Sequence, residues 1–241
     1  MKETIYTIPV IDGFNAGTEC PFCAMTVKLD DEAVEAMLGS SYMEDDIRNK
    51  TNLQGFCQKH VEKMFKGQNA LGLALMLHTH IMAMNAALEK QQNGGKKGYA
   101  QIAKHTASVV DSCYICDKIA KPFARYVDTF FMLWAKDASM RERVRCGKGF
   151  CFSHFALLLE TSRKKLFGKA GEEFCQVITA VQLENMKRVE GDLDWFIKKF
   201  DYRYREEPWK SAKDAVARSL VKTASLMTAA GFEPGGTERE V

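Results

Sequence analysis

Proline is scarce in this chain, with 5 among 241 residues, so little interrupts long helices. An excess of one charge is also missing. The formal net charge is +3, from 34 Lys and Arg against 31 Asp and Glu, which argues against an obligate nucleic-acid binder. The N-terminal MKETIYTIPVIDGF has no apolar run and no small-residue cleavage site, so no secretory signal is expected. Strand-like alternation is absent beyond the short TIYTIPV. The chain has no phosphate-binding loop, no dinucleotide fingerprint and no Gly-x-Ser-x-Gly elbow, which removes the commonest nucleotide and hydrolase chemistries. It also lacks a Glu-x-x-His pair, which argues against a di-iron carboxylate bundle.

Cysteine, by contrast, is plentiful and ordered. Six of the 8 cysteines and two of the 5 histidines fall into a pattern. CPFC carries Cys20 and Cys23, and GFCQKH carries Cys57 and His60. CYIC carries Cys113 and Cys116, and GFCFSH carries Cys151 and His154. The inner cysteines are separated by 33 residues in the first set and 34 in the second. The sets are offset by 93 residues at the first pair and 94 at the second. Two units of this kind imply an internal duplication: a first helical unit at 1–94 and a second at 95–230, packed as one body, with a disordered tail at 231–241.

Residues three apart on a helix or tight turn face the same way, so each Cys-x-x-Cys or Cys-x-x-His is a two-pronged claw. Two claws make a closed Cys₃His set, a donor combination that zinc takes tetrahedrally. The expected grouping is local: Cys20, Cys23, Cys57 and His60 around one zinc, and Cys113, Cys116, Cys151 and His154 around a second. The glycine of each Gly-Phe-Cys lets the backbone turn sharply, and Phe56 and Phe150 are expected to exclude water from the sites. An iron–sulfur cluster is an alternative occupant. Redox-active dithiols and buried unligated thiols are further alternatives. CPFC resembles a glutaredoxin-type pair, but that chemistry calls for a strand–helix setting that is missing here.

The remaining pattern is helical. Helices are expected over CPFCAMTVKLDDEAVEAML, opened by the cysteine pair, in the polar SYMEDDIRNK with Ser41 as cap, from CQKH, and over about 69–92. In the second half, a helix follows CYIC, with Pro122 bending or delaying it. A short one covers ASMRERVR, another follows CFSH, and a long one carries Val177, Val181, Val189, Leu193, Phe196 and Phe200 at three-to-four spacing. Gly191 marks a weak point of that long helix. A last helix is expected from near Pro208, with a stripe of Trp209, Ala212, Val216, Leu220 and Met227. The fold class is therefore all-α.

ALGLALMLHTHIMAMNAAL is long enough to span a bilayer, but His78, Thr79, His80 and Asn85 in its middle favour a buried core helix or a dimer face. Met76, His80 and Met84 share a face and read as core stripe, although soft-metal or haem binding is the other possibility. Cys146 reads as a half-buried free thiol or a spare ligand, and Cys175 as core. The acids of MEDD sit in a first helical turn, where they need no catalytic role.

Taken together, IYTIPV, CPFC, SYMEDDIR, GFCQKH and LGLALMLHTH, continuing to FDYRYREEPWKSAKDA, resemble an uncharacterised bacterial family found mainly in anaerobes. Its members are sometimes labelled transporter substrate-binding proteins. The resemblance implies no activity. The chain is expected to be a cytoplasmic zinc-binding helical protein serving as a binding or scaffold module. Its expected partner is an unidentified protein or a second copy of the chain. Neither nucleic acid nor membrane is an expected partner. The alternative is an iron–sulfur or dithiol redox enzyme of anaerobic metabolism.

Overall fold

The computed structural model describes residues 5–225 and Met227. Among them are eleven α-helices, two short 3₁₀ turns and no strand, so the all-α class is established. In chain order the helices are α1 (Thr7–Asn15), α2 (Pro21–Leu38), α3 (Asp45–Gln54), α4 (Gln58–Phe65), α5 (Ala70–Gln91), α6 (Gly95–Val110), α7 (Tyr114–Lys136), α8 (Ala138–Arg145), α9 (Phe152–Lys165), α10 (Lys169–Lys198) and α11 (Ala215–Ala224).

The chain forms two compact units, and they are interleaved in sequence. One comprises residues 1–27 and 125–241, the other residues 28–124. The boundaries fall inside α2 and α7, whereas the position 94/95 suggested by the repeat lies within the second unit, between α5 and α6.

The first unit is built on aromatics. Phe22 and Phe130 meet edge to face at 5.3 Å between centroids, Phe14 stacks on Phe130 at 5.4 Å, and Trp134 meets Phe174 at 5.0 Å. Such contacts add to the burial of the rings themselves. The second unit is built on thioethers and aliphatics: Met37, Met64, Met76, Leu73, Val34 and Ile115 are buried together. The third residue of each Cys-x-x-Cys, Phe22 or Ile115, is fully buried in its own unit's core, which anchors the claw around it.

Several expectations are corrected. TIYTIPV is not a strand: Thr7–Val10 open α1. Ser41 caps nothing; it begins a 3₁₀ turn, and Glu44 precedes α3. The helix α6 had no counterpart in the sequence reading. The last helix starts at Ala215, not near Pro208. Pro122 sits inside α7 without ending it. Met227 is described but lies beyond α11, and the tail 231–241 lies outside the described residues.

The apolar helix α5 is not a buried core helix. Only Gly72, Leu73 and Met76 are buried along it, and Leu71, Ile81 and Met82 are exposed. It alone among the described helices is long and apolar enough to cross a membrane. Its inward face packs on α3, where His80 Nδ1 lies 2.9 Å from the Asn52 carbonyl. That contact accounts for His80 without a metal or haem.

Candidate metal centres

All four claws share one local structure. Cys20, Cys57, Cys113 and Cys151 each stand immediately before a helix, and Cys23, His60, Cys116 and His154 each lie in its first turn. The first cysteine's carbonyl accepts the opening helical hydrogen bond, from Ala24 N, Val61 N, Asp117 N or Phe155 N. The unpaired N–H groups and dipole of a helix start favour thiolate over thiol. At Cys151 this is direct, because its sulfur accepts from His154 N at 3.4 Å.

The two Cys-x-x-His claws match in their approach as well. Gly55 and Gly149 have φ of +62° and +76°, a region costly for other residues. Cys57 (φ −71°, ψ 162°) and Cys151 (φ −74°, ψ 161°) then adopt the same extended conformation. In the second unit, Tyr114 N donates to the Gly55 carbonyl at 3.1 Å, and Ser112 Oγ to the Gln54 carbonyl at 2.7 Å. In the first, the Gln182 side chain grips Phe150 on both sides, accepting from its N–H at 2.9 Å and donating to its carbonyl at 3.0 Å. Phe150 is buried and Phe56 half-buried, each within its own core.

The claws gather into two quartets, but not in the expected grouping. One quartet is Cys20, Cys23, Cys151 and His154; the other is Cys57, His60, Cys113 and Cys116. Each lies inside one unit. The local grouping of Cys20 and Cys23 with Cys57 and His60, and of Cys113 and Cys116 with Cys151 and His154, is therefore wrong. The physical reason is that each compact unit closes its own site: the unit boundaries fall inside α2 and α7, so the chain passes from one unit to the other along the helix that begins at each Cys-x-x-Cys. The start of α7 closes the site at α4, and the start of α9 closes the site at α2.

The donor geometry is that of a single-ion cage. His154 Nδ1 lies 3.1 Å from Cys151 Sγ, 3.4 Å from Cys23 Sγ and 3.5 Å from Cys20 Sγ. His60 Nδ1 lies 3.2 Å from both Cys57 Sγ and Cys113 Sγ and 3.5 Å from Cys116 Sγ. The sulfur pairs Cys23–Cys151 and Cys57–Cys116 stand 3.5 and 3.9 Å apart. A tetrahedron with metal–sulfur bonds of about 2.3 Å has edges of about 3.8 Å, so the residues fit one tetrahedral ion each.

Electrostatics point the same way. Hydrogen bonds to Cys151 and Cys20, with burial, keep the proton on Cys23 and push its thiol far up, while hydrogen bonds from Cys20 and Cys23 hold Cys151 far down. At the second site burial pushes Cys116 up to about 12. Burial, the largest single influence, also raises Cys113, but the hydrogen bond from His60 together with those involving Cys116 and Cys57 outweighs it and brings the thiol down to about 6. Packed thiols thus share protons around one favoured thiolate, and a dication can replace those protons.

Residues that carried no sequence signal complete each site. Asp30 is 4% exposed and accepts from His60 Nε2 at 2.7 Å, the carboxylate–histidine arrangement that orients metal-ligating imidazoles. Burial works against its charge, but Lys63, His60 and Lys59 outweigh that and lower its pKa to about 2. At the other site Ser225 Oγ donates to Cys151 Sγ at 3.1 Å. Lys222, with no exposed surface, lies 3.2 Å from the Glu19 carboxylate beside Cys20 and donates to the Glu19 and Lys148 carbonyls. Asp30→Asn is expected to weaken metal retention at the second site about 10–100-fold. Competition with a chromophoric chelator measures this, and the first site serves as the internal reference.

Cys146 and Cys175 belong to neither quartet. Cys146 is exposed, not half-buried, and lies 3.0 Å from Glu142 Oε1. Cys175 is half-buried, 3.6 Å from Ser162 Oγ.

Fold and sites together define an all-helical protein with two Cys₃His clusters, each assembled from the starts of two helices. The chain belongs to the family of unknown function DUF6062, whose model matches residues 1–230. Comparison with curated proteins and with solved structures yields no match.

Proposed function

We propose that the protein holds two structural zinc ions, one liganded by Cys20, Cys23, Cys151 and His154 and the other by Cys57, His60, Cys113 and Cys116, and serves as a cytoplasmic binding or scaffold module. The observation that carries the metal reading is the convergence of each quartet's donor atoms to within 4.8 Å of one another. That spacing favours one ion over an iron–sulfur cluster, whose ligands bind different irons and so stand farther apart. Three thiolates with one imidazole form a closed set typical of structural zinc. Bound zinc would tie helix starts distant in sequence and contribute folding free energy. The matched glycine and cysteine dihedrals support reading the two Gly-Phe-Cys-x-x-His segments as products of duplication. The exposed apolar residues of α5 support the binding-module part of the reading.

Elemental analysis of anaerobically purified, full-length protein tests the proposal. The expected result is a colourless protein with two zinc ions per chain. A brown protein containing iron and sulfide would replace this reading with the cluster-enzyme one, and a metal-free folded protein would remove both.

A further inference from the structure

The two quartets share one donor set but differ in access. At the first site Cys20, Cys23 and Cys151 are all buried, with exposures of 0%, 2% and 0%. The ring of Phe22 lies 5.8 Å from that of His154, and Ser225 sits on Cys151. At the second site Cys113 and His60 are buried, but Cys57 is half-buried and Cys116 is exposed. The sulfurs of these two residues are neighbours, 3.9 Å apart.

Resting on the metal reading above, we infer that the second site is a site of oxidative modification, at which a hydroperoxide joins Cys57 to Cys116 as a disulfide and discharges the ion, while the first site keeps its own. Susceptibility of a thiolate to oxidation follows its accessibility, and Cys116 is the one exposed residue of either quartet. Its thiolate attacks the terminal oxygen of the peroxide. The O–O bond breaks, hydroxide or alkoxide leaves, and Cys116 becomes a sulfenic acid. The Cys57 thiolate then attacks that sulfur and expels hydroxide. Two thiolates lose one electron each, the peroxide gains two, and two protons from solvent complete water and a second water or alcohol. Cys113 and His60 remain as the only donors, and two ligands do not retain an ion against solvent. The disulfide replaces the ion as the cross-link between the starts of α4 and α7. The buried first site offers no sulfur from which the same sequence can begin.

Zinc-loaded, full-length protein is titrated with hydrogen peroxide in the presence of a chromophoric zinc chelator, and the products are mapped by mass spectrometry after alkylation. The expected result is release in two phases, the first at least tenfold faster and amounting to one zinc per chain. A Cys57–Cys116 disulfide is expected to appear with the first phase. Cys146→Ser is expected to leave both phases unchanged, which separates the site from the other exposed thiol. Release of both ions in one phase, or first modification at Cys20, Cys23 or Cys151, overturns this inference alone. So does a first phase with Cys57 and Cys116 still unlinked. Protein that binds no zinc before oxidant is added overturns the metal reading and this inference with it.

Discussion

Serine in place of Cys151 is expected to cut the metal content from two ions to one and to lower the thermal transition by more than about 10 °C. The sulfur of Cys151 lies at the centre of the first site. It accepts from His154 N and from Ser225 Oγ and stands 3.5 Å from Cys23 Sγ. Structural zinc is worth about 10–16 kcal/mol of apparent binding at neutral pH. Losing even about 5 kcal/mol of it is comparable to the whole stability of many domains and corresponds to shifts of roughly 10–20 °C at this chain length. The effect should fall on the first unit, whose aromatic core is pinned to the site through Phe22 and Phe150. Cys175→Ser is the control: outside both quartets and half-buried, it is expected to cost about 1 kcal/mol or less. Equal melts and equal metal contents for the two variants would remove Cys151 from the site.

The second large effect distinguishes the observed grouping from the local one. The double variant Cys20→Ser with Cys57→Ser strikes both quartets and is expected to abolish metal binding altogether. Cys57→Ser with Cys113→Ser strikes a single quartet and is expected to leave one ion, as Cys57→Ser alone does. Grouping by sequence neighbourhood gives the reverse stoichiometries: one ion for the first pair and none for the second. Non-additivity within a site and additivity between sites is the ordinary behaviour of groups that act as a unit. Metal content per chain decides the matter, provided native mass spectrometry or analysis of a folded fraction keeps unfolded protein out of the count.

The family match covers residues 1–230 and carries no activity, so these sites must be tested on their own chemistry. Their accessory groups suggest distinct characters. The first is sealed by aromatics and by the fully buried Lys222, whose ammonium pairs with Glu19 next to Cys20. The second is oriented by the Asp30 carboxylate, itself held by Lys59 and Lys63, and leaves Cys116 at the surface.

Much of the local structure was legible because it depends on short-range rules. The helices following the claws, the polar segment before GFCQKH and the long apolar helix are recognisable from three-to-four spacing and helix-start residues. The sharp turns at Gly55 and Gly149 were readable for the same reason: only a residue without a side chain enters that backbone region cheaply. The misses have physical causes too. TIYTIPV alternates over too few residues to override packing of α1 in the first unit. Ala70–Gln91 has the composition of a core helix, but composition does not say how many neighbours surround it. Asp30, Gln182, Lys222 and Ser225 carry ordinary residue types at positions without motif. Only their packing makes them part of a site.

By itself the sequence determined which eight side chains gather as candidate donors, that they come as pairs on helix starts, and that the fold is helical, because three-residue spacing and helical periodicity are properties of a few consecutive residues. Tertiary structure alone decided which pair meets which. Each quartet closes inside one compact unit, and both unit boundaries fall inside the helices that begin at a Cys-x-x-Cys, so each Cys-x-x-Cys meets the Cys-x-x-His that shares its packed core and not the nearer one in sequence.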